Sequence, residues 1–140
     1  MRVIVYNRNG VLEVCRPVSK EKEQEAWDKC FKYHSDARWI DDSELTLDRG
    51  FRAAWIDEGG LKVDMVRARN IHRDRLRALR APKMAALDIE YMRADEAGNE
   101  SRKSSIAIQK QVLRDVTDDP KIENALTPEE LKAVLPECLR

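Results

Sequence analysis

Two short apolar runs, Val3-Ile4-Val5-Tyr6 and Val11-Leu12-Glu13-Val14-Cys15, flank the polar stretch Asn7-Arg8-Asn9-Gly10. The pattern predicts a β-hairpin. β-branched residues suit a pleated, half-buried surface, and Asn9-Gly10 tolerates the positive φ of a tight turn. Pro17 ends the second strand. Ser19 then stands where a helix cap belongs, Glu21 and Glu23 suit the positive end of the dipole, and Ala26, Trp27, Cys30, Phe31 and His34 recur at helical spacing. Two strands alone are marginal in water, so this helix is expected to cover the hairpin. Arg38-Trp39-Ile40 reads as a third strand, ended by an Asp41-Asp42-Ser43 loop. Leu47, Phe51 and Trp55 recur every four residues, which predicts a short helix, and Gly59-Gly60 turns the chain into Leu61-Lys62-Val63. Trp27, Trp39 and Trp55 are expected in the core of this first unit.

Beyond Asp64, a good N-cap, the pattern is helical for about thirty residues, roughly 48 Å if unbroken. Pro82 interrupts it. A proline there removes the bond to the Ala78 carbonyl and predicts a kink or a break. Around the helix, Ala68, Ile71, His72, Leu76, Ala78 and Leu79 cluster beside a stripe of Arg69, Arg73, Arg77 and Arg80. A polar turn over 95–100, with Gly98 and Asn99, leads to a helix over about 102–116 whose inward face is Ile106, Gln109, Val112, Leu113 and Val116. The short turn makes the two antiparallel. Pro120 is expected to stop the second of them. Thr127-Pro128-Glu129-Glu130 has the pattern of a capping box, starting a last short helix with Leu126, Leu131, Val134 and Leu135 on its apolar side.

The expected fold class is therefore α+β. A small antiparallel sheet with packed helices, ββαβ in order, occupies 1–63; an α-helical hairpin occupies 64–119; and a C-terminal segment with a short helix occupies 120–140.

A chain of 140 residues can bury roughly two thirds of its unfolded surface, enough for one modest core. Charged residues make up 37% and the net charge is zero, so no whole-protein field draws it to nucleic acid. Cys15, Cys30 and Cys138 form no CxxC pair, and their odd count argues against a disulfide framework or a zinc site. A reducing compartment fits. No apolar run approaches the roughly 20 residues of a membrane span, and none suits a signal-peptide core.

Candidate chemistry is sparse. Asp41, Asp42 and Glu44 lack the spacing of a calcium loop, and a solvated loop is the commoner reading. His34 and His72 sit beside apolar helical faces, where packed histidines outnumber catalytic ones. Cys30 reads as core. The expectation is a protein with no catalytic residue, metal or cofactor, and not an enzyme. One feature stands out: between Arg67 and Lys83 six arginines and a lysine face a single acid, Asp74, and acids follow at Asp88, Glu90, Asp95, Glu96 and Glu100. One reading is a solvated face tied to neighbouring carboxylates. The other is docking, because arginine forks grip carboxylate or phosphate bidentately. The stripe lacks interleaved aromatics, which disfavours nucleic acid. The docking set is then Arg69, Arg73, Arg77 and Arg80 with Ile71, Leu79, Leu87 and Tyr91, and a homo-oligomer is one possible outcome.

Trp39-Ile40-Asp41-Asp42-Ser43-Glu44-Leu45, Asp48-Arg49 and Phe51-Arg52-Ala53-Ala54-Trp55 resemble an uncharacterised family of tailed-bacteriophage and prophage proteins. Ile71-His72-Arg73-Asp74-Arg75, Ala85-Ala86-Leu87-Asp88 and Lys110-Gln111-Val112-Leu113-Arg114-Asp115 are similar to the same family. More distantly, residues 67–120 resemble the helical end of phage tail-fibre assembly and tail assembly chaperone proteins, though the aromatic that often precedes the Arg-Asp pair there is absent from 106–109. The resemblance implies a phage-encoded protein without enzymatic activity, located in the host cytoplasm or the virion. Its partner would be a phage structural or tail protein. A permanent virion component at the head-to-tail junction or tail tip, and a counter-defence binding protein, are the alternatives.

Overall fold

A computed structural model describes residues 1–140, which fall into two compact units, Met1–Ala68 and Arg69–Arg140. The fold is α+β, with small antiparallel sheets of three and two strands and long helices followed by short C-terminal ones.

In the first unit β1 (Arg2–Arg8) and β2 (Val11–Cys15) form the expected hairpin, and β3 (Arg38–Asp41) pairs antiparallel with β1, giving the order β2-β1-β3. Asn9 and Gly10 adopt φ of 52° and 76°, the two positive values that a two-residue turn needs to match the strand twist. The central strand is buried on both faces. Val3 and Val5 pack with Leu12, Ile40 and Trp55, whereas Ile4 packs with Cys30 and Ala37. Helix α1 (Glu23–Tyr33) covers the Ile4 face, where Trp27 stacks between Phe31 and Trp39.

Several local expectations change here. Ser19 makes no side-chain cap; the chain enters α1 through a 3-10 turn at Lys20–Lys22. Asp41 does cap: with Glu44 it closes a capping box over the 3-10 turn Asp42–Glu44, so both carboxylates hold backbone N–H groups. The segment with Leu47, Phe51 and Trp55 is not an α-helix but a 3-10 stretch, Arg49–Ala54, bent at Phe51, and Trp55 opens β4 (Trp55–Asp57). β4 pairs with β5 (Leu61–Val63) as a second hairpin. Phe51 and Trp55 are nevertheless buried, Trp55 packing on the Val3 face. Trp27 and Trp39 are only half-buried.

α2 (Met65–Glu96) starts where expected, with the Val66 N–H donating to Asp64 Oδ1 at 3.0 Å. It runs unbroken through Pro82. Ala78 and Pro82 are both exposed, so the carbonyl deprived of its helical donor stays within reach of water. Ala68, His72 and Leu76 face inward as predicted, but Ala78 and Leu79 do not. Gly98 in the left-handed region and Asn99, which accepts from Arg102 N–H, turn the chain into α3 (Glu100–Asp115). α3 returns antiparallel: Lys103 pairs with Asp95 and Lys110 with Asp88 across the hairpin. Pro120 does not simply end this region. Asp119 accepts from Lys121 N–H and Pro120 takes the first position of a short helix, α4 (Pro120–Asn124). α5 (Pro128–Ala133) follows, Thr127 capping Glu130 N–H while the Glu130 carboxylate accepts from Leu126 N–H, one residue further back than a simple box requires. Leu131 and Val134 are buried and Leu126 is exposed. Leu76, Ala94, Ile106, Leu113, Val116, Ile122, Leu131, Val134 and Leu139 form the buried apolar set of this unit.

Candidate functional site

The arginine stripe faces its own chain. Arg69 donates through Nε to the Ile122 carbonyl at 3.2 Å and through Nη2 to that of Ala125 at 2.9 Å. Arg73 donates to the Thr117 carbonyl at 3.2 Å and to the Glu123 carboxylate, and Arg80 places one Nη1 between the carbonyls of Leu113, at 3.2 Å, and Arg114, at 2.8 Å. These oxygens belong to the ends of α3, the following 3-10 turn and α4, where helix carbonyls have no partner of their own. A cation there also suits the negative end of each helix dipole. Three arginines therefore act as C-caps that bind residues 113–125 to α2. Arg77 differs, pairing with the exposed Asp74 at 2.6 Å. Of the expected docking arginines, Arg69, Arg73 and Arg80 thus have their donors engaged internally, because α3, the 3-10 turn and α4 end in succession beside them.

The other expected contacts separate likewise. Tyr91 lies between the ammonium groups of Lys103 and Lys110, each 5.6 Å from its ring centre. Lys103, held by Asp95 and then Glu100, has its pKa pushed up to about 12. Ile71 is half-buried and Leu79 is half-exposed. Leu87 lines a concave surface.

That surface is a groove of about 400 Å³ between α2 and α3. Lys83, Ala86 and Leu87 form one wall, Ile108, Gln109, Val112 and Leu113 the other, and Cys138 closes an end. Gln109 and Val112, expected inside, are exposed and form part of this wall, whereas Ile106 and Leu113 of the same helix are buried. Ile108 is 67% and Val112 49% exposed. Beyond Val112 and Cys138 a second hollow of about 510 Å³ continues the apolar floor with Val116, Pro120 and Pro136, rimmed by Asp115, Asp118, Asp119 and Glu137. Ile108 could have been found in the sequence, since it lies off the predicted inward face yet is a large aliphatic residue. The contribution of Cys138 could not, because nothing local places the C-terminal turn there.

Both histidines and Cys30 are packed against their own chain. His72 is buried, with Nε2 donating to the Val134 carbonyl at 2.7 Å. His34 stacks on Tyr6 at 4.1 Å. Burial, reinforced by contact with Cys15, pushes the Cys30 thiol up to about 11, away from thiolate chemistry. No three histidine, cysteine or acidic side chains are grouped to hold a metal ion, and no helix is long and apolar enough to cross a membrane. In the first unit a cleft of about 640 Å³ near Met1 and Pro17 is walled by groups paired with each other, Arg2 with Glu23 and the N-terminal amine with Asp41. Comparison with family models, curated proteins and solved structures gives no match.

Proposed function

We propose that this chain works by contact with another protein, without chemistry of its own, in the assembly of a tailed-phage tail or tail fibre. The groove between α2 and α3 carries the reading: it is concave, almost wholly apolar, and keeps Ile108 and Val112 in water. Exposed apolar surface of this kind marks protein contacts. The phage context comes from the likeness of Trp39 to Trp55 and of the Arg-Asp segments to tailed-phage proteins. The groove also describes its partner. An amphipathic segment would lay aliphatic side chains along Leu87, Ile108 and Val112 and set a basic residue among Asp115, Asp118, Asp119 and Glu137. Arg69, Arg73 and Arg80 play no part in this contact, being engaged with their own chain.

The test is a pull-down from phage-infected cells with the wild-type chain and with Ile108→Asp, beside mass spectrometry of intact particles. Capture of a phage tail protein by the wild type and its loss in Ile108→Asp support the reading. Stoichiometric presence in particles would make the chain a virion component, and absence from them an assembly chaperone. Recovery of a host protein alone would overturn the assembly role in favour of counter-defence.

A further inference from the structure

Two of the cysteines meet beneath α1. Cys15 is the last residue of β2 and stands directly across from Ile4 of β1, so the two side chains leave the sheet on the same face. That face is the one α1 covers. Cys30 comes down on it from the helix, packed with Ile4 and Ala37, and Cys15 lies against the same cluster with its thiol in contact with that of Cys30. Both are free thiols. Their access to solvent differs: Cys30 is buried, whereas Cys15 is half-buried at the end of a strand that has β1 on one side only. Cys138 belongs to the other unit. The odd, widely spaced cysteines speak against a permanent framework, but not against a pair that the fold itself brings together.

We propose that Cys15 and Cys30 form a reversible redox site, joined as a disulfide by hydrogen peroxide and parted again by a small thiol. Position assigns the roles. The Cys15 sulfur, which solvent reaches, attacks a peroxide oxygen; the O–O bond breaks, Cys15 becomes a sulfenic acid and one water leaves. The Cys30 sulfur then attacks that of Cys15, the S–O bond breaks, and the Cys30 proton departs with the hydroxyl as a second water. Two thiols and one hydrogen peroxide thus give one disulfide and two waters. Cys30 does not go first, because burial keeps its thiol protonated and away from the oxidant. Reduction runs by exchange, two molecules of a thiol such as glutathione becoming their own disulfide. The bond ties α1 to an edge strand and closes the loop over 15–30, which restricts the unfolded chain and so stabilises the sheet-bearing unit. The groove lies in the other unit, so this site stands apart from the contact proposed above.

Treating the folded full chain with hydrogen peroxide, then alkylating the remaining thiols and mapping peptides by mass, tests this. The intact chain is expected to lose two hydrogens, with the Cys15 and Cys30 peptides joined and Cys138 alkylated, and dithiothreitol should return all the thiols. Cys30→Ser should stop at the Cys15 sulfenic acid, which dimedone captures, while Cys15→Ser should leave Cys30 unoxidised at the same peroxide concentration. Oxidation should raise the thermal midpoint followed by tryptophan fluorescence by about 5 °C in the wild type, and not in Cys15→Ser. Circular dichroism checks that each variant is folded, and Cys138→Ser, which leaves the buried cluster intact, should behave as the wild type even if a substitution in the cluster unfolds the chain. Recovery of Cys15 and Cys30 alkylated after peroxide overturns the proposal. So does a link through Cys138 or between chains, a Cys15–Cys30 bond that forms only in urea, Cys15 carried on to sulfinic acid, or an oxidised chain that melts no higher.

Discussion

His72 Nε2 lies 2.7 Å from the carbonyl oxygen of Val134, joining α2 to the residue that ends α5. Its other ring nitrogen, Nδ1, is buried without a hydrogen-bond partner. The side chain is thus held for one bond, to a carbonyl that would otherwise be stranded away from water. His72→Ala should cost about 2–4 kcal/mol, combining a cavity with an unsatisfied acceptor. His72→Gln, which keeps a donor, should recover part of that loss. Urea unfolding followed by circular dichroism measures both.

The arginines should separate by the partner each one holds. Arg80→Ala removes the guanidinium donor shared by two helix-end carbonyls, leaving that of Arg114 only a long bond from Thr117 Oγ1, and should destabilise by about 1–2 kcal/mol. Arg69→Lys should also destabilise, since an ammonium keeps the charge but cannot reproduce the fork across Ile122 and Ala125. Arg77→Ala should change stability by no more than about 0.5 kcal/mol, because its ion pair with Asp74 is exposed. Equal effects at all three positions would contradict the capping role.

Asp57 gives the first unit a defined acid sensitivity. Hydrogen bonds from Arg38, at 2.8 and 3.1 Å, hold its carboxyl below the ordinary range, with burial opposing them. A depressed folded-state pKa contributes stability that is fully present above the unfolded value, about 4, and is lost as pH falls through the lower folded value. Asp57→Asn should therefore lower stability at neutral pH and flatten the acid limb of the stability profile. Tryptophan fluorescence against pH would show it.

Pro82→Ala should stabilise the chain by about 1–3 kcal/mol, because it restores the bond to the Ala78 carbonyl and removes the ring clash in an otherwise continuous helix. The midpoint of thermal unfolding should rise. A fall would mean that the proline shapes α2 in a way the neighbouring packing requires.

The elements with strong local chemistry were legible in the sequence. Asn9-Gly10 specifies its turn, Asp64 its cap and Thr127-Pro128 its helix start, since each depends on residues within a few positions. What escaped depended on distant partners. Phe51 and Trp55 are buried as their spacing suggests, yet the chain between them bends as a 3-10 stretch because closing the sheet matters more than helical propensity. Pro120 looked like a stop signal and is a start, a role the preceding Asp119 decides. The arginine stripe was visible as a pattern but not as a function, because its acceptors lie more than thirty residues away. The groove was harder still: Leu87 was expected to meet a partner, while Gln109 and Val112 were placed inside.

All three tryptophans, Trp27, Trp39 and Trp55, belong to the sheet-bearing unit, whereas most of the long-helix length belongs to the other. Nature has in effect installed separate reporters. Indole emission follows the melting of the strands, and ellipticity at 222 nm mainly that of the rods. Superimposable curves would mean the halves unfold as a single cooperative block, and displaced ones would give each its own free energy without any added label.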